Sequence, residues 1–143
     1  MRVPRSLYFA MFSFTASIGV IFGLIASLQD NLGFANSALG LIAGASFFAS
    51  FLGQLFLAPL ADRGRTKPLL LFSIVLAALG TLWFALASSV WELTTARALT
   101  GLGFGAFAPA ARAIVSNIDA SRAGERLGRL AAIETSGFVT GPV

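Results

Sequence analysis

The stretch Ala58-Pro59-Leu60-Ala61-Asp62-Arg63-Gly64-Arg65-Thr66-Lys67-Pro68-Leu69-Leu70 decides the fold, because it crowds four charges into positions 62–67 between two long runs that have none. Residues 31–61 before it and 68–91 after it hold no Asp, Glu, Lys or Arg. A helix of about 20 apolar residues crosses the roughly 30 Å of bilayer hydrocarbon. The quoted stretch is therefore a polar turn between two membrane spans. Further out, residues 6–29 are also free of charge. A helix over residues 7–28 is about 33 Å long at 1.5 Å per residue, enough for another span. The whole chain agrees: of 143 residues 57% are hydrophobic and 11% charged, with a mean hydropathy of +0.85. Soluble domains carry about 25% charged residues. So few polar side chains cannot cover a water-facing surface, and lipid must be part of the solvent.

Five hydrophobic helices are expected, over residues 7–28, 38–61, 69–88, 91–116 and 126–143. The basic start Met1-Arg2-Val3-Pro4-Arg5 suits a signal peptide. The apolar run behind it exceeds an ordinary h-region and lacks a small-x-small exit before Asp30, so it reads as a retained helix. The fifth helix is still running at Val143, short of the length of a span. An all-α chain with about four and a half transmembrane helices reads as the N-terminal piece of a longer protein.

Cysteine and histidine are absent. That removes disulfides, Cys/His metal sites and the usual general base, and the expectation is a protein that is not an enzyme and needs no cofactor or metal. The net charge of +4 does not indicate nucleic acid, because the charges cluster between apolar runs. Arg2, Arg5, Arg63, Arg65, Lys67, Arg112, Arg122, Arg126 and Arg129, nine of the ten basic residues, fall on one side of the expected helices. The positive-inside rule then predicts a multi-pass protein of the inner or plasma membrane with a cytoplasmic N-terminus. Tyr8 and Trp91 suit aromatic belts at the inner and outer interfaces.

Small residues recur at helix-contact spacing: Gly19/Gly23, Gly40/Gly44 and Gly101/Gly105. Such pairs let backbones approach closely where lipid gives no hydrophobic drive for association, and all three are expected to pack against other helices. Pro109 lacks an N–H and is expected to bend the fourth helix.

The loop Leu60-Ala61-Asp62-Arg63-Gly64-Arg65-Thr66-Lys67-Pro68-Leu69-Leu70 resembles the loop signature of the major facilitator superfamily, roughly G-x-L-A-D-R-x-G-R-K-x-x-L. Ala58 stands where that pattern has its first Gly, and Arg65-Thr66 stand in place of Gly-Arg unless one residue is deleted. Arg97-Ala98-Leu99-Thr100-Gly101-Leu102-Gly103-Phe104-Gly105 is similar to the family's second signature, an Arg followed by spaced glycines. Gly137-Phe138-Val139-Thr140-Gly141-Pro142 looks like the opening of the G-x-x-x-G-P motif of its drug/proton antiporters. Asp119 sits where these proteins often keep an acid at the cytoplasmic end of the fourth helix. The resemblance implies a transporter of 12 (or 14) helices in two halves, each made of inverted three-helix repeats. It also implies partners beyond lipid and a small solute: the C-terminal half of the same protein, which a contact from Asp62 would reach. Gly101, Gly103, Gly105, Gly137, Gly141 and Pro142 become helix-packing positions.

Two charges lie inside the expected helices. Arg97 is six residues, about 9 Å, beyond Trp91. It can snorkel to the outer interface or sit buried against a partner or cavity; the resemblance gives it a part in proton coupling. Glu134 lies five residues, about 7.5 Å, beyond Arg129. It is a protonatable cavity residue or an interfacial acid paired with Arg129 or Arg126. Its depth argues against a direct pair with Arg97, the two being some 15 Å apart along the membrane normal by helix rise. Asp62, Arg63, Arg65, Lys67 and Asp119 form either a charged latch or a solvated loop that sets topology. Phe9, Phe12, Phe14 and Phe22 line an apolar cavity or, as more phenylalanines do, face lipid.

The function these readings favour is secondary active transport of a small molecule by alternating access, as proton-coupled efflux. No G-x-x-x-x-G-K-[ST] loop occurs, so a proton gradient rather than ATP is the expected energy source. A sugar or organic-acid uptake carrier, a non-transport membrane scaffold or sensor, and a small oligomeric exporter are the alternatives. The last would want an acid in the first helix, which has none over residues 6–29.

Overall fold

Each helix end follows from a local signal. The structure, a computed structural model, describes residues 3–142, with the backbone alone at Ala26, Leu28 and Leu32. Arg2 and Val143, both used in the sequence reading, lie outside the described residues. Helix α1 spans Arg5–Leu32 and stops at Gly33, whose φ of 68° is the left-handed cap that glycine adopts without strain. Its N–H donates to the Gln29 carbonyl at 2.8 Å. The helix thus runs four residues past the expected end, because Asp30 and Asn31 extend it into the polar zone rather than ending it. Helix α2 spans Asn36–Asp62. Gly64, with φ of 80°, turns the chain into α3, Thr66–Leu86, which tolerates Pro68 because a first helical turn needs no N–H there.

Helix α4 spans Val90–Ile118 and opens on a capping box. Ser89 Oγ accepts from the Glu92 N–H at 3.3 Å, and the Glu92 carboxylate accepts from the Ser89 N–H at 3.1 Å. Helix α4 stays unbroken through Pro109. A short 3₁₀ turn, Ala120–Arg122, leads into α5, Ala123–Thr140, which starts three residues earlier than expected. Among the described residues, α1 to α4 are long and apolar enough to cross a membrane. The chain is therefore a multi-pass membrane protein, all α-helical in its described residues. Large apolar side chains such as Phe48, Phe51 and Phe56 on α2 stand exposed, as lipid or a further helix requires.

Helix α4 is the centre, flanked by α2 and α3, and the glycines explain how. At 100° per residue, Gly101 and Gly105 share one face and Gly103 looks the opposite way. A Cβ at Gly101 would overlap the Ser46 carbonyl of α2, and one at Gly105 the Ser50 carbonyl. A Cβ at Gly103 would lie 2.9 Å from the Ser73 carbonyl of α3. One glycine-rich turn therefore admits a backbone on each side. On α5, Gly137 meets Phe12 and Thr15 of α1, and Gly141 meets Ala16 and Gly19. Pro142 lies against Gly19 and Gly23. Helices α1 and α5 thus run parallel in tight register. The pair Gly40/Gly44 behaves otherwise: an added Cβ at either meets nothing within 4 Å. This corrects the expected packing role, since those glycines lie on the open face of α2.

Candidate solute and coupling site

Helices α1, α2, α4 and α5 line a half-open cavity of about 670 Å³. Its wall is mostly apolar and includes Phe47, Phe51, Phe104 and Phe138, and its polar groups include Ser50, Gln54 and the carboxylate of Glu134. Gln54 Nε2 donates to Ser50 Oγ at 3.4 Å. A large apolar space with a few convergent polar groups is the usual form of a small-molecule site.

Arg97 lies one helical turn before Gly101, which lines that cavity. It does not snorkel: its exposure is 0%. Its guanidinium carbon stands 5.1 Å from the centre of the Phe22 ring. Phe22 in turn packs on Phe47 and, edge-on, Phe138 of the cavity wall. Among the described residues no acceptor meets Arg97 Nε, Nη1 or Nη2. Burying an arginine at depth costs at least about 2.5–3.5 kcal/mol on insertion scales. A desolvated cation–π contact returns about 2 kcal/mol. The ring offsets part of the cost and leaves the hydrogen-bonding capacity of the guanidinium unused.

Two of the three signature stretches thus border this cavity, through Gly101 and Phe104 of α4 and Phe138 of α5. The family model described as Major Facilitator Superfamily matches residues 7–143. The chain belongs to the major facilitator superfamily. Within that superfamily it is similar to the quinolone resistance protein NorA of Staphylococcus aureus, at 26% identity over 95% of this chain and 35% of NorA. It is also similar to the gentisate transporter of Corynebacterium glutamicum, at 27% identity over 69% of this chain and 22% of that protein. The chain thus spans about a third of the length of NorA.

The charged positions singled out from the sequence separate into two groups. Among the described residues, Glu134 forms its ion pair with α4. Arg112 Nη2 of α4 donates to Glu134 Oε2 at 3.3 Å, with side-chain exposures of 48% and 23%. From the sequence alone, Arg112 counts only toward topology. Its one signal was depth: Arg112 lies six residues before the end of α4, about 9 Å, and Glu134 eleven residues into α5, about 16 Å. Two long side chains bridge that difference. Arg112 also lines a second, smaller cavity beside Asp62 and Ser116. The Arg112–Glu134 pair therefore stands between the aromatic cavity and a crevice at the charged end of the bundle.

The loop latch is not assembled as one cluster. No ion pair among the described residues involves Asp62, Arg63, Arg65 or Lys67. Asp119 turns instead into its own 3₁₀ turn, accepting from Ser121 Oγ at 2.6 Å and from the Ser121 N–H at 3.2 Å. Arg126 Nη2 lies 3.5 Å from it. The Ser121 hydroxyl, with further help from the Ser121 N–H and the charges of Arg126 and Arg122, holds the Asp119 carboxyl below its ordinary range. The four phenylalanines of α1 divide: Phe14 is buried in the core, Phe22 meets Arg97, and Phe9 and Phe12 are exposed.

Proposed function

We propose that the chain supplies the N-terminal helices of a secondary active transporter that exports a small molecule in exchange for protons. The observation that carries this reading is Arg97, a cation sealed beside an aromatic cavity with no acceptor among the described residues. A buried cation of this kind raises the acidity of any carboxyl group brought near it. A conformational change that moves such a group toward or away from Arg97 would release or take up a proton. Glu134 is the second coupling residue. It is protonatable, borders the solute space, and would free Arg112 when protonated. Alternating access would rock this bundle against a second one, with the cavity between them opening to each side in turn. Gly137, Gly141 and Pro142 would hold α5 against α1 as one rigid unit during that motion. Asp62, Arg63, Arg65 and Lys67 would act at the interface with the second bundle.

Similarity to NorA supports drug efflux as the mode. The bias of basic residues toward one end supports a cytoplasmic N-terminus in the inner or plasma membrane. A second reading has its own observation. An unpaired buried cation suits a carboxylate solute, and similarity to the gentisate transporter supports organic-acid uptake. The test is proteoliposome flux by the full-length protein under an imposed pH gradient. Saturable drug movement against the proton flow supports efflux. Organic-acid entry together with protons would replace that reading, and gradient-independent behaviour with neither solute would overturn both.

A further inference from the structure

A third cavity lies at the common N-terminal end of α1 and α5 and shares no lining residue with the aromatic one. Its volume is about 370 Å³, and Arg5, Tyr8, Arg122, Arg126 and Arg129 line it together with Glu125. The parallel register of α1 and α5 creates it. Because those helices run side by side in the same direction, their two N-termini open at one place, and each adds partial positive charge there. The side chains add more. Arg122 is engaged with Glu125 at 3.0 Å and Arg126 with Asp119 at 3.5 Å. Arg5 and Arg129 have no acidic partner among the described residues. Arg129 is fixed by another means, its guanidinium carbon standing 5.5 Å from the centre of the Tyr8 ring. Four arginines against two carboxylates leave an excess of two positive charges around one hollow. None of this serves the aromatic cavity.

We infer that this hollow binds the phosphodiester headgroup of an anionic phospholipid. The anion follows from the charge, and guanidinium groups suit phosphate oxygens through paired N–H donors. The lipid follows from the position. The hollow sits where the apolar span of α1 begins, and Phe9, the residue after Tyr8, is exposed. A headgroup held by Arg5 and Arg129 would leave its acyl chains lying along that apolar side. Basic pockets between membrane helices are suited to such headgroups. Glu125 opposes an anion, and its pairing with Arg122 limits that effect. Bound lipid would pin α1 to α5 at the end opposite their glycine contacts.

The test uses the purified protein in nanodiscs of phosphatidylcholine, alone or with phosphatidylglycerol. Phosphatidylglycerol should raise the thermal midpoint, and native mass spectrometry should retain it on the protein. The double substitution R5Q/R129Q should weaken phosphatidylglycerol binding about thirtyfold, from the contribution expected of two arginines near a membrane surface. A control double substitution in the α2–α3 loop, R63Q/R65Q, should leave it within twofold. Equal loss in the control would overturn the pocket in favour of diffuse attraction. Equal stabilisation of the protein in pure phosphatidylcholine by soluble glycerophosphate would overturn the lipid as occupant. Phosphatidylglycerol binding by R5Q/R129Q at wild-type strength would overturn the site altogether.

Discussion

Helix α4 carries two arginines that meet opposite surroundings. Arg97 is sealed in protein, touches an aromatic ring and has no acidic partner among the described residues. Arg112, fifteen residues and about 22 Å further along, is half exposed and paired with Glu134. The paired arginine is the one that water or headgroups can reach, where pairing is worth least. The unpaired one is where pairing would be worth most. The two ends of one helix thus differ: one arginine is satisfied by the chain itself, and the other leaves its hydrogen-bonding capacity unused among the described residues.

The largest effect should come from the sealed end. In the full-length protein, Arg97→Ala should insert normally yet lower proton-driven flux on the order of a hundredfold, as loss of about 2–3 kcal/mol from the charged contact proposed to form during transport implies. Unchanged flux and pH dependence would show that Arg97 is only structural. Gly101→Ala should come next, costing about 1–3 kcal/mol of stability through overpacking against Ser46. Gly44→Ala should be neutral or gain up to about 1 kcal/mol, since alanine is the better helix former and its Cβ meets nothing. Thermal melts of the two variants compare the faces directly. If Gly44→Ala is as damaging as Gly101→Ala in the full-length protein, another helix covers that face of α2.

At the exposed end the effects should shrink. Double-mutant cycles with Arg112→Ala and Glu134→Gln should give a stability coupling below about 1 kcal/mol, as for partly exposed pairs. Glu134→Gln should nevertheless move the pH profile of transport; an unchanged profile would remove Glu134 from coupling. Smallest of all is Asp119. Its carboxyl is held below the ordinary range, so its stabilising contribution is present above about pH 4 and fades as acid titrates the folded state. Asp119→Asn should flatten that acid-side decline in melting temperature and leave neutral-pH flux nearly unchanged.

The spans and their order were legible because charge-free length is a one-dimensional property. The turn at Asp62–Lys67 could be located from composition alone, and the Gly-rich run after Arg97 marked a crowded helix. Partnerships were less legible. Gly40/Gly44 and Gly101/Gly105 have the same spacing, and nothing local reveals that one pair meets a backbone and the other does not. The Arg112–Glu134 pair joins residues 22 positions apart on different helices, so no periodicity announces it. Asp119 was grouped with the loop charges by its side of the membrane, whereas the geometry of its own 3₁₀ turn decides where its carboxylate points. Depth and sidedness follow from counting; facing does not, because it depends on how neighbouring helices rotate.

The register of α1 against α5 sets a timetable for biosynthesis. The surface of α1 that receives Gly137 and Gly141 is synthesised about 120 residues before them, and at roughly 5–20 residues per second it waits some 6–24 seconds for its partner. During that interval α2, α3 and α4 can insert and zip together through their glycines, while the first helix stands with Thr15, Gly19 and Gly23 turned toward no permanent neighbour. A helix made before its four neighbours is thus among the last to find its seat, and its groove is the surface a nascent-chain chaperone or a quality-control protease would meet first.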